Sequence, residues 1–228
     1  MTMLSARPGV PGTTTFGSGG AEPYAAALEN ESAVLYLRHA TGRAAATMDA
    51  GRWSAAADDT DVQLLAGAAG PVLDIGCGPG RMVRAALAQG LAATGVDVSP
   101  TAVRIAAESG LTVLECSVFS SLPGEGDWGT ALLLDGNIGI GGDIVALLGR
   151  CAELISSDGA VLVEVHPDAE RDHAFDGTLE DAQGRTSAVF PWAEVGIGPL
   201  RARAGEAGLR VVQDWTSDGR WFARLVRT

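Results

Sequence analysis

Asp74-x-Gly76-x-Gly78-x-Gly80, with a further acid at Asp97, is the stretch of this 228-residue chain whose residue types and spacing point most directly to chemistry. Glycine accepts positive φ and carries no Cβ, so a backbone can turn sharply there and a ligand can sit against it. A ligand resting on such a turn presents its ribose to an acid at the end of the following strand. The spacing argues against a dinucleotide fingerprint, whose third glycine is set to let a helix approach a pyrophosphate. Cys77 lies inside the turn and reads either as a small residue where bulk would clash or as a nucleophile. Two further polar groups follow apolar runs, Asp135-Gly136-Asn137 and His166-Pro167-Asp168. His166 is the best-placed general base of the three histidines, since an unperturbed His titrates near pH ~6.5. Its alternative is a hydrogen-bonded structural histidine. Glu164 breaks an apolar run and needs a partner if buried.

These residues need elements to hold them. Val72, Leu73 and Ile75 predict a strand buried on both faces. Arg81 to Gln89 predicts a helix closed by Gly90, and Ala93 to Val98 a second strand with Asp97 at its carboxyl end. Ser99-Pro100 opens the next helix. Leu111–Glu115, Trp128–Leu134 and Ala160–Val165 predict further strands, and Asp143 caps a helix over Ile144–Ile155 that Ser157-Asp158-Gly159 ends. Leu209–Trp215 and Arg220–Val226 predict a hairpin turning at Asp218-Gly219. Residues 1–22, rich in Gly, Pro, Ser and Thr, predict a disordered tail. Residues 23–70 predict a helical lid segment, with one helix across Glu22–His39 and another across Asp58–Ala66. Residues 169–195 are too long for a simple connection and predict an insertion. Within it, Thr178–Glu180 and Thr186–Phe190 suggest a hairpin around Asp181–Gly184.

The motifs VLDIGCGPG at 72–80 and GVDVSP at 95–100 resemble the two cofactor motifs of class I S-adenosylmethionine (SAM)-dependent methyltransferases. The resemblance covers residues 71–228, and the whole chain is similar to an actinobacterial group with small-molecule substrates. It implies an α/β, Rossmann-like fold with a seven-stranded, mostly parallel sheet, an antiparallel last strand and helices on both faces. It implies SAM as cofactor and S-adenosylhomocysteine as product, with no metal. Asp74, Gly76, Cys77, Gly78 and Gly80 would meet the methionine part, and Asp97, with Val98 beside it, the ribose. The acid that the family usually places beyond the third strand is replaced by Cys116-Ser117-Val118, so the Ser117 hydroxyl or the Val118 N–H is the candidate for the adenine edge. The lid holds His39, Arg43, Arg52 and Trp53. Arg52 is a candidate for a bidentate pair with the methionine carboxylate, or else a surface salt bridge to a nearby Asp. Asp135 and Asn137 face the substrate, contact SAM or brace the glycine loop. The insertion would cover the acceptor, with Trp53, Asn137, His173, Phe190 and Trp192 lining the site. The implied activity is methyl transfer to an O, N or C atom of a small molecule in secondary metabolism, with His166, or Asp135 through water, as base. Two alternatives stay open: a SAM-binding enzyme of the same fold catalysing a cyclisation or rearrangement, and a non-catalytic SAM-binding partner.

Composition narrows the partners. The formal net charge is -12 and the pI about 4.6, a balance that repels phosphate backbones and argues against nucleic acid. No apolar run approaches the ~18 residues of a membrane span. Cys77, Cys116 and Cys151 are isolated and suit a reducing, cytoplasmic setting. A monomer or homodimer is expected.

Overall fold

In the computed structural model, residues 16–17, 22–30, 34–41 and 44–228 are described. The chain opens with α1 (Pro23–Glu29), β1 (Val34–His39), β2 (Ala44–Asp49), α2 (Ala50–Ser54) and α3 (Asp59–Ala66). Then come β3 (Val72–Ile75), α4 (Arg81–Ala88), β4 (Ala93–Asp97), α5 (Pro100–Glu108), β5 (Val113–Glu115), β6 (Trp128–Leu133), α6 (Ile144–Leu154) and β7 (Ile155–Val165). The rest is β8 (Asp172–Asp181), β9 (Phe190–Val195), α7 (Ile197–Glu206), β10 (Leu209–Ser217) and β11 (Arg220–Arg227).

Seven strands form the main sheet in the order β10-β11-β7-β6-β3-β4-β5. From β7 through β5 the neighbours run parallel. β11 is antiparallel to β7, and β10 to β11. Successive residues of a strand point to opposite faces, and here both faces are covered. Leu73, Ile75, Leu133, Val161 and Val163 pack with α6 and α7 through Leu147, Leu148 and Leu200. Val72, Leu132, Leu162 and Phe222 pack on the other face with Leu64 and Leu65 of α3 and Met82 of α4. That explains the unbroken apolar runs, since a parallel sheet is buried twice. β7 begins at Ile155, earlier than the strand expected at 160, because Ile155 pairs with Trp128 across a register shift. The chain leaves β3 toward β4 and β5, then crosses back to β6 and β7. Open α/β sheets bind ligands at the carboxyl ends beside such a reversal.

The lid differs from the expected helical segment. Of Glu22–His39, expected as one helix, Pro23–Glu29 is helical and Val34–His39 is a strand, while the helix expected at Asp58–Ala66 is present as α3. Leu35 and Leu37 are buried while Val34 and Tyr36 are only half-buried, a period of two that the helical reading merged with Leu28 into one face. β1 sits between β2 and β8 in a second, four-stranded antiparallel sheet of order β2-β1-β8-β9. The lid and the 169–195 insertion are therefore one sheet. The turn at Asp181–Gly184 is present, with Gly184 N–H donating to Asp181 O. Its expected second arm is reduced to one bridge, Glu180 to Thr186, because β8 pairs with β1 and β9 instead. Of the expected 1–22 tail, all but residues 16, 17 and 22 lie outside the described residues, as does Arg43.

A core of its own backs this second sheet: Leu35, Leu37 and Leu179 meet Tyr24 and Leu28 of α1, Phe190 and Trp192 of β9, and Ala102 of α5. Leu37 is 1% exposed. Leu37→Ala should cost about 2–5 kcal/mol in urea unfolding. Arg38→Ala, which removes a partly exposed pair with Glu180 and a cation–π contact with Tyr36, should cost about 1 kcal/mol in the same measurement.

Candidate active site

The glycine turn between β3 and α4 is shaped by what leans on it. Gly76 has φ +70°, and a Cβ there would fall 2.7 Å from the Asn137 amide nitrogen. That amide donates to Ile75 O and Gly76 O, both at 2.9 Å. Asn137 thus braces the turn. Gly78 offers its N–H to Asp97 Oδ2 at 2.8 Å, and Ser99 N–H donates to Oδ1, also at 2.8 Å. Asp97 is buried; burial pushes its carboxyl up, and the Ser99 and Gly78 N–H donors pull against that shift. The carboxylate is fixed in place before any ligand arrives.

A cavity of ≈ 710 Å³ opens above this turn. Asp74, Gly76, Cys77, Gly78, Asp97, Val98, Ser117, Val118 and Asn137 line it from the main sheet and its loops, and Trp53, Phe190 and Trp192 line it from the lid with Phe16 and Tyr24. Asp74 is buried there, and its carboxyl is pushed up to about 8, first by burial and then by the charges of Asp135 and Asp97. Burial likewise raises the Cys77 thiol well above its ordinary range, the opposite of what a nucleophile needs. Its neighbour across the turn is Gly95, where a Cβ would fall 2.4 Å from Cys77 Sγ. Cys77 is the small residue at a tight approach.

Four of the expected site residues stand outside the cavity, and a fifth lines it already engaged. Gly80 does not line the cavity. It has φ +87°, and a Cβ on it would fall 2.5 Å from Leu111 Cδ1, so its role is close helix packing. Arg52 and His166 line a neighbouring cleft of ≈ 490 Å³ rather than the main cavity. There Arg52 pairs with Asp58, Asp61 and Asp135, and His166 Nδ1 accepts from Asp168 N–H. His173 lines neither space and packs against His39 and Phe175. Asp135, in a left-handed conformation at φ +53°, is no free base. Its carboxylate takes Arg81 and lies 3.5 Å from Arg52 Nε and 3.8 Å from Arg220. Glu164 has the partner it needs: both its oxygens accept from Arg220, and Asp135 N–H donates to it at 2.8 Å.

Sequence reasoning passed over Arg81, Tyr24, Asp61 and Arg220. Arg81, 4% exposed, bridges Asp61 of α3 and Asp135 beyond β6. Arg220 joins Asp61 at 2.8 Å to Glu164 at 2.7 Å. Tyr24 reaches from α1 onto the turn, its hydroxyl 3.4 Å from where a Gly78 Cβ would stand. The one local signal was Arg81 itself, a charge opening a helix at a position facing the sheet.

Two outcomes test this geometry. Gly95→Ala must displace Cys77 and should cost about 1–3 kcal/mol in urea unfolding, part of it recovered by adding Cys77→Ala in a double-mutant cycle. The raised Asp74 carboxyl gives a pH dependence of known sign. Below its ordinary value of 3.8 folded and unfolded states both hold the proton. As pH rises toward about 8 the unfolded chain releases it and the folded chain keeps it, so stability from this site falls across that window. In scanning calorimetry without ligand, Asp74→Asn should melt above the parent protein at pH ~8 and level with it at pH ~4.

Comparison with known proteins agrees with this architecture. Residues 72–159 match the family model described as a methyltransferase domain. No curated protein matches the chain. Among solved structures, a SAM-dependent methyltransferase from Bacteroides fragilis, in complex with S-adenosyl-L-homocysteine, is similar at TM-score 0.76 and 18% identity, over 95% of this chain and 98% of that one. The CcbJ methyltransferase from Streptomyces caelestis is similar at TM-score 0.59 and 15% identity, over 77% and 92%. The 1,6-didemethyltoxoflavin-N1-methyltransferase from Burkholderia thailandensis is similar at TM-score 0.53 and 21% identity, over 75% and 77%. The domain match spans the glycine turn, the Asp97 strand end and the loop after β6, and the seven-stranded sheet around it has the fold of these SAM-dependent methyltransferases.

Proposed function

We propose that this protein methylates a small molecule, binding SAM against the glycine turn and the acceptor beneath the lid sheet. The observation that carries the reading is Asp97, a buried carboxylate locked to Gly78 and Ser99 N–H groups while lining a cavity. An anchored acid at the end of the second strand suits the paired hydroxyls of a ribose. The residues present fit the cofactor. Gly76 and Gly78 line the cavity without a Cβ, and Ser117 and Val118 line it where they could take a purine edge. At ≈ 710 Å³ the space is of the size that encloses ligands. Bound there, SAM supplies a methyl group already activated by its sulfonium.

The chain's own residues then bind, orient and exclude water. Asp97 fixes the rotation of the nucleoside, and Asn137 holds the turn rigid beneath it. Phe16, Tyr24, Phe190 and Trp192 close over the cavity as one aromatic cluster. Holding donor and acceptor in line is the main contribution such a site makes. The enclosed cavity and the net charge of -12 both favour a small acceptor over nucleic acid. The Burkholderia thailandensis enzyme, solved with 1,6-didemethyltoxoflavin and S-adenosylhomocysteine, supports an acceptor of that scale. A role in secondary metabolism accords with such an acceptor.

Calorimetric titration tests the reading. SAM and S-adenosylhomocysteine should both bind, and Asp97→Ala should lose about 10–100-fold in affinity for each, the worth of a charged hydrogen-bonding group. Equal affinity in a folded Asp97→Ala protein would remove the ribose assignment.

A further inference from the structure

We infer that the acceptor atom is the nitrogen of a neutral amine, and that the cavity is built to hold one positive charge as it passes from donor sulfur to acceptor nitrogen. This rests on the reading of the cavity as a SAM site. Five aromatic residues line its lid side: Phe16, Tyr24, Trp53, Phe190 and Trp192. Their rings form a continuous cluster. The Phe16 centroid lies 5.2 Å from Tyr24, 5.2 Å from Phe190 and 5.1 Å from Trp192, and Tyr24 lies 5.6 Å from Trp53. Aromatic faces are electron-rich and attract ammonium and sulfonium groups, most strongly where water is excluded.

The charges of the same lining point the same way. Asp74, Asp97, Asp135 and Asp143 contribute carboxyl groups. The one cation lining the cavity among the described residues is Arg81, and its guanidinium is already taken by Asp61 and Asp135. The Asp74 carboxyl is held high by burial first and then by the charges of Asp135 and Asp97, with no cation paired to it among the described residues. An anionic acceptor, such as a carboxylate or phenolate, would enter against that field and find no free cation.

A neutral hydroxyl acceptor would need a base, and the lining offers none that is both free and ionised at neutral pH, since Asp74, pushed up to about 8, holds its proton there. The three histidines lie outside it. Asp135 is engaged by arginine and Asp143 caps α6 through Ala146 N–H. Tyr24 is pushed well above its ordinary range, by burial first and then by the Asp97 charge, so it stays protonated. A neutral amine needs no base. Its lone pair forms the N–CH₃ bond, and the electron pair of the S–CH₃ bond stays on sulfur. The sulfonium becomes a neutral thioether, the amine becomes a methylammonium, and the proton leaves to solvent after release. Net charge is conserved, so rings and carboxylates face a cation from start to finish.

The test reads binding rather than turnover. S-adenosylhomocysteine (neutral at sulfur) and sinefungin (an ammonium group where the sulfonium methyl would sit) are titrated into the protein by calorimetry. Choline and its uncharged isostere 3,3-dimethylbutan-1-ol are then titrated into the S-adenosylhomocysteine complex. Sinefungin should bind at least about tenfold more tightly than S-adenosylhomocysteine, and choline at least about tenfold more tightly than the alcohol. A smaller ratio in either pair overturns the amine assignment while leaving the cofactor reading intact. Failure of both nucleosides to bind overturns the cofactor reading, and the amine assignment with it.

Discussion

Asp61 is the buried charge on which the arrangement depends. It is 1% exposed and accepts from Arg81 of α4 and Arg220 of β11. Through those two arginines it reaches Asp135 beyond β6 and Glu164 of β7, and Arg52 of α2 closes the outer side. One ionic cluster therefore ties the lid, the helix after the glycine turn and three strands of the main sheet. Burying charges costs several kcal/mol per ion unless geometry and hydrogen bonds offset it, and removing one partner exposes the whole penalty. Such a cluster adds less to net stability than to uniqueness: there is one way to dock α3 onto the sheet that leaves none of these charges bare. It also decides what Asp135 can do, because a carboxylate held by arginines is a strut.

The strut has a consequence at the other end of the loop. Asp135 is held in a left-handed conformation and leads straight into Gly136 and Asn137. Asn137 then turns its amide onto the carbonyls of the glycine turn. The two glycine-rich loops, sixty residues apart in sequence, are thereby one rigid floor. The lid sheet roofs it, and since β1 from one end of the chain pairs with β8 from the insertion, neither part of the roof forms without the other.

The floor was legible in the sequence and the roof was not, for a physical reason. A glycine turn, a buried strand and a capped helix are local backbone requirements, and residue types within ten positions declare them. The strand ends at Asp97 and Asp135 followed from the same periodicities. β1 is a strand because Leu37 faces Leu179, a partner more than a hundred residues away, so the sequence around it looked equally like a helix. Likewise the loops after β6 and β7 marked Asp135 and His166 as polar groups at strand ends. Which cavity each side chain enters, and whether an arginine has already claimed it, depends on packing with no local signature. Trp53, Phe190 and Trp192 line the cavity, as aromatic residues in a covering segment have few other places to go. Tyr24, carried on a short helix with no motif, had nothing to distinguish it.

This asymmetry also explains why the cavity carries an apparent flaw. Among the described residues the lining carries four carboxyl groups and one arginine that is already paired, and burial, with the charges of Asp135 and Asp97 behind it, pushes the Asp74 carboxyl from 3.8 up to about 8, which works against folding. Sequences depart from locally consistent choices mainly where function requires it. A cation entering there would relieve that imbalance, so the cost to folding and the affinity for a cation would be the same interaction seen from two sides. The Arg–carboxylate cluster around Asp61 lies beside this strained lining, sharing Asp135 and Arg81 with it. It ties the wall at Asp135 and Arg81 to α3 and β11.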